Sequence, residues 1–174
     1  MSHYPMDFPH PTRHEVVAAI RAAFSGVDRE NAISLHEGRV IDLHGSADER
    51  AGARSLDVEL IWEQVPPKHI ERFSSALSFL DPKGFRYYIP AYMIWTLDAN
   101  ARGGTSCHST FFHLECLDER DRYNLHRLQL LNDDQRRSIA LFLLYFSTDR
   151  YYGDDARKAV QRFWEHYLPE EYRR

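Results

Sequence analysis

Apolar residues recur at three- and four-residue spacing over most of the chain, the period of helices that bury one face. Val16, Val17, Ile20, Ala23 and Phe24 form the first such stripe. Thr12 and Glu15 stand before it as a capping box and Gly26 after it as a stop, which predicts a helix from about residue 12 to 25. Ser34 with Glu37 and Ser46 with Glu49 repeat the box. They predict a helix over 35–44, closed by a left-handed Gly45, and a polar surface helix through Arg54. Gly38 weakens the first by roughly 1 kcal/mol against alanine, so a hairpin through Glu37 and Gly38 stays open. Pro66 and Pro67 open a helix carrying Ile70, Phe73, Ala76, Leu77 and Leu80. Asn132 and Gln135 cap a helix over 133–147 whose second half, "IALFLLYF", has no polar face and predicts the central buried helix. Ala156, Ala159, Val160, Phe163 and Tyr167 make the stripe of a last helix.

Three stretches break this rhythm. In "SLDVELIWEQV", Leu56, Val58, Leu60 and Trp62 alternate as in a strand, yet a lone strand has no partner, and we expect an extended segment with these residues against the core. In "FLDPKGFRYYIPAYMIW", Asp81 and Pro82 start a helix that Pro90 interrupts, predicting two short helices or one kinked helix. Residues 98–110, with Gly103, Gly104 and small polar side chains, predict an exposed loop, and "FFHLECL" fits either a short strand or a helical turn. The prolines at 5, 9 and 11 predict an extended N-terminal arm over 1–11. The expectation is an all-α fold: one compact helical domain over 12–168, about six helices, at most one small strand pair, and a tail over 169–174.

Composition narrows the function classes. The 174 residues are 43% hydrophobic and 13% aromatic, enough for one sizeable core. With 22 basic against 26 acidic residues the net charge is -4, so no global positive field favours nucleic acid or an anionic membrane. The longest apolar run, residues 139–146, falls far short of the ~18 residues a membrane span needs, and the N-terminus lacks the pattern of a signal peptide. A cytoplasmic protein is expected. Cys107 and Cys116 are the only cysteines, too few for a disulfide framework; two thiols are the simpler reading, with one bridge open.

"LSFLDPKGFRYYIPAYM" and, some forty residues on, "LLNDDQRRSIALFLLYF" resemble a family of small bacterial proteins known as a domain of unknown function. The resemblance rests on the Leu-Ser-Phe-Leu start, Phe85, Tyr88, Pro90-Ala91, Gln135, Phe142, Leu143 and Tyr145. "SLHEGRVIDLHGSADE" and Trp62 match that family's upstream segment. It implies a mostly helical fold and carries no activity, cofactor or catalytic residue.

Candidate chemistry is sparse. Cys107, His108, His113 and Cys116 supply metal-ligand types, but without a C-x2-C or H-x3-H pair, and we expect no metal there and no cofactor. His36, Asp42, His44 and Asp48 could serve acid/base chemistry, though capping and solvation explain them as well. Nucleotide-loop, nucleophile-elbow and H-E-x2-H motifs are absent. Arg86 either snorkels to water, pairs with an acid such as Glu59, Glu63, Glu71 or Glu115, or meets an anionic ligand. Arg86, Tyr88, Tyr92 and Trp62 are the candidate binding residues, of types favoured at interface anchors, although tyrosines at helical spacing more often belong to a core. The expected function is non-enzymatic binding of another protein, in one version an immunity- or antitoxin-like neutralisation of an effector. A homodimer is possible; nucleic acid and membrane are not expected partners. The alternative is a metal-assisted hydrolase built on the histidine, cysteine and carboxylate clusters.

Overall fold

The computed structural model describes residues 9–98, 101, 103–115 and 122–173. Among them the chain is all-α: α1 Arg13–Ala23, α2 Leu35–Asp42, α3 Ala47–Arg54, α4 Pro67–Arg72, α5 Pro82–Leu97, α6 Thr105–Leu114, α7 Arg122–Leu128, α8 Asp133–Phe146 and α9 Gly153–Ala159. The described residues form nine α-helices where about six helices were expected, and none of them is in a strand. No helix among the described residues is long and apolar enough to cross a membrane. The expected N-terminal arm lies outside the described residues except for 9–11, where Pro11 is buried and His10 Nε2 lies 3.2 Å from Ser147 Oγ.

The capping boxes do what their sequence implies. Thr12 and Glu15, Ser46 and Glu49, and Asn132 and Gln135 each close reciprocally. At α2 only half of the box forms. Ser34 accepts the Glu37 N–H at 3.4 Å, but the Glu37 carboxylate turns away to Arg50 at 3.0 Å and Arg54 at 2.7 Å. This nearly buried carboxylate clamps α2 to α3. The left-handed residue after α2 is His44, at φ 57°, and not Gly45. Gly45 donates to the Val40 carbonyl at 2.8 Å and His44 to that of Ile41 at 3.0 Å, the paired bonds of a Schellman stop.

Two buried helices organise the core. In α8, Ile139 to Leu144 and Phe146 are all buried, as the unbroken apolar run requires. α1 packs on α8 and also on α5, α6 and α7 cover α5, and α9 lies on α8. α5 is one helix running through Pro90, with Phe85 and Tyr87 to Met93 buried. Pro90 gives up the ladder bond to the Arg86 carbonyl without ending the helix.

Elsewhere propensity yields to packing. α4 ends at Arg72, earlier than its apolar stripe suggests, and a 3₁₀ turn over Ala76–Phe79 carries Leu77 inward. The expected loop over 98–110 is helical from Thr105 on, because its hydroxyls find acceptors inside: Ser106 Oγ donates to Ile70 O at 2.6 Å and Thr110 Oγ1 to Ser106 O at 2.8 Å. After α9 a π-helical turn, Val160–Trp164, brings Trp164 fully inside, where its indole N–H donates to Leu114 O at 2.7 Å.

Candidate functional site

The most unusual local feature is the segment between α3 and the 3₁₀ turn Trp62–Gln64. Residues 57–59 have no regular structure and 60–61 form a bend; buried and exposed side chains alternate along 56–60, as expected, but with the opposite orientation. Asp57 is buried and the Glu59 side chain is 4% exposed, whereas Leu56, Val58 and Leu60 face solvent, Val58 at 79% and Leu60 at 82% exposure. Ile61 is also exposed, so the alternation slips by one before Trp62 turns inward. The apolar residues expected against the core are outside, and the acids are inside.

The buried acids are held by partners that account for this inversion. Asp57 Oδ1 lies 2.7 Å from His36 Nδ1, and Oδ2 accepts the His36 backbone N–H at 2.9 Å, close to the start of α2. Glu59 Oε1 accepts the Tyr88 hydroxyl at 2.9 Å and lies 3.7 Å from Arg29. Arg29 donates to the Tyr88 oxygen and to the Asp57 carbonyl, each at 2.8 Å. Burial, followed by the Glu59 charge, pushes the Tyr88 phenol far above its ordinary range, so it keeps its proton and donates it to Glu59. Turned the other way, the segment would carry both acids into water and leave the Arg29 guanidinium, the Tyr88 hydroxyl and the His36 N–H inside without these acceptors, and it is this polar pairing that fixes which way the segment faces.

Behind Asp57 stands His69 of α4. Its ring meets that of His36 edge-on, with centroids 4.8 Å apart, and both rings contact Phe73. Burial, and then the nearby His36, hold the His69 imidazole below its ordinary pKa, which favours the neutral ring. Its Nδ1 is buried and has no hydrogen-bond partner. His36, Asp57 and His69 each offer one ligand atom, all within 4.8 Å of one another.

The candidate binding residues lie mostly behind this surface. Tyr88 anchors the network just described and Tyr92 is fully buried, donating to Phe73 O at 2.6 Å. Trp62, 3% exposed, donates to Phe24 O at 3.0 Å and forms part of the wall of an open cavity of about 290 Å³ shared with Arg13, Ile94 and Trp95. Arg86, the sharpest question posed by the sequence, meets none of the four acids considered for it. Its Nε donates at 3.1 Å to the side-chain oxygen of Gln135, the buried capping residue of α8, whose Nε2 in turn donates to Ala23 O at 3.2 Å. One amide thus joins α1, α5 and α8.

The chain belongs to the DUF6714 family, a family of unknown function. The family model matches residues 12–168. No curated protein and no solved structure matches the chain. Within this DUF6714 chain, the groupings suggested by proximity in sequence come apart. Asp42 pairs with Arg39, and His44 serves the turn after α2. Cys107 is a buried free thiol whose Sγ lies 3.0 Å from Ala101 O. His108 packs on the Tyr152 ring, and His113 bonds Arg127 at 3.0 Å and Ser78 at 3.2 Å. Cys116 lies outside the described residues. What comes together instead is His36, Asp57 and His69, from two helices and the segment between them, with sequence separations that match no motif.

Proposed function

We propose that this DUF6714 protein is a non-enzymatic binding module that receives an extended apolar segment of another protein along residues 56–61. The observation that carries this reading is the inverted segment: three aliphatic side chains held in water because the alternate positions are anchored inside by buried acids. Contiguous exposed apolar residues of this kind mark interaction surfaces. The backbone N–H groups of Val58, Glu59 and Ile61 donate to no other group among the described residues, and of these Glu59 and Ile61, two apart, are the pair that one added strand would take. A strand paired to the segment would lie beside it, with its own outward side chains packing next to Val58 and Leu60.

The partner is a protein with an apolar extended stretch. An effector neutralised by strand addition at this edge is the most specific form of the reading, and a second copy of this chain, pairing segment to segment about a two-fold axis, is the alternative occupant. The test compares the wild type with a Val58→Lys/Leu60→Lys variant in capture from the native cells and in light scattering. The reading predicts a retained partner, or a dimer, that the variant loses. It fails if the wild type neither retains a partner nor self-associates, or if the variant behaves identically.

A further inference from the structure

We propose that His36, Asp57 and His69 form a binding site for one divalent transition-metal ion, with zinc the ion their donors suit best. This inference does not depend on the binding reading above. Two imidazoles and one carboxylate are the nitrogen and oxygen donors such ions prefer, and three protein ligands leave a further position for water.

Three features of the geometry support the site. The three ligand atoms lie within 4.8 Å of one another. A tetrahedral ion with bonds of ~2.1 Å spaces its ligands by roughly 3.4 Å, between the 2.7 Å of the His36–Asp57 pair and the 4.8 Å limit of the cluster. Asp57 is pinned before any ion arrives, since its Oδ2 accepts the His36 backbone N–H and its carbonyl accepts Arg29, fixing Oδ1 toward the imidazoles. His69 supplies the independent sign: its Nδ1 is buried without a hydrogen-bond partner, an arrangement that is uncommon and calls for an explanation. Phe73, against both rings, gives the site one apolar wall.

When the ion enters, it takes the place of the proton between His36 Nδ1 and Asp57 Oδ1; that proton leaves to solvent, and no redox change is involved. The bridge then ties α2, α4 and the 57–61 segment through one centre.

The full-length protein, stripped with a chelator, is titrated with Zn²⁺ by calorimetry and with Co²⁺ by visible absorption. The proposal predicts one equivalent of each, cobalt d–d bands of a low-coordinate site, and a raised unfolding temperature with Zn²⁺. His69→Gln, confirmed as folded by circular dichroism, weakens binding by at least about tenfold, while the exposed control His126→Gln leaves it unchanged. His36→Gln serves if the first variant does not fold. Absence of stoichiometric binding overturns the site, as does binding that neither ligand variant weakens.

Discussion

Asp57 Oδ1 lies 2.7 Å from His36 Nδ1, and the other oxygen of the same carboxylate accepts the His36 backbone N–H at 2.9 Å. One buried side chain therefore holds both the first turn of α2 and the ring that projects from it. Asp57→Ala removes both bonds and leaves a buried donor unmatched, and it should lower stability by about 3 kcal/mol in urea unfolding. Asp57→Asn keeps the shape and an acceptor oxygen, and should lose less. Equal losses in the two variants would mean that the carboxylate charge is what matters.

Two glycines make opposite predictions. A Cβ on Gly84 would stand 2.6 Å from the Ile33 carbonyl oxygen, where α5 starts against the residues leading into α2. Gly84→Ala should therefore destabilise by about 1–3 kcal/mol. A Cβ on Gly38 would meet Ala76 and Leu80 at ordinary contact distances of 3.5 Å and beyond. Gly38→Ala should stabilise by about 0.5–1 kcal/mol through helix propensity. Thermal unfolding of the two variants checks both signs.

His113 sets an acid limit on the fold. It is buried beside Arg127, whose guanidinium must donate to Nδ1, so the ring proton sits on Nε2 and faces Ser78 Oγ. Burial first, and then the Arg127 charge, lower its pKa to about 3, against an ordinary value of 6.5. Because the folded value is depressed, the unfolded chain binds the proton more readily. This contribution is complete above pH 6.5 and is lost as pH falls toward 3. His113→Gln should flatten the stability profile across that window. An unchanged slope would show that other groups control acid unfolding.

The local grammar of the helices was legible in the sequence, and interactions distant in sequence were not. Caps such as Thr12 with Glu15 and Asn132 with Gln135 act within four residues, so their residue types suffice to place them. Glu37 has the same spelling but is claimed by Arg50 and Arg54 of the next helix, and nothing in its own turn reveals that competition. Arg86 was a recognisable puzzle, but its partner, Gln135, is forty-nine positions away and is an amide, neither water, an acid nor an anionic ligand. At 56–62 the period of two was visible and its direction was not. Alternation shows that two faces differ; which one turns inward was decided by Arg29, His36 and Tyr88, contributed by other parts of the chain. His69 carried no signal in the sequence, because its neighbours in space are twelve and thirty-three positions away.

The outward face of the segment should matter little to folding. Val58 and Leu60 already stand in water, so Val58→Lys/Leu60→Lys should change stability by no more than about 0.5 kcal/mol per site while removing the binding surface. A large loss of stability would place these side chains in a packed contact and contradict the inversion.

Amide hydrogen exchange of Val58, Glu59 and Ile61 tests strand addition most directly. The account predicts fast exchange at all three positions in the dilute isolated chain, and marked slowing at Glu59 and Ile61, with less effect at Val58 on the opposite edge, when the captured partner, or a second copy at high concentration, is bound. Binding that protects other regions and leaves Glu59 and Ile61 exchanging as before would contradict it.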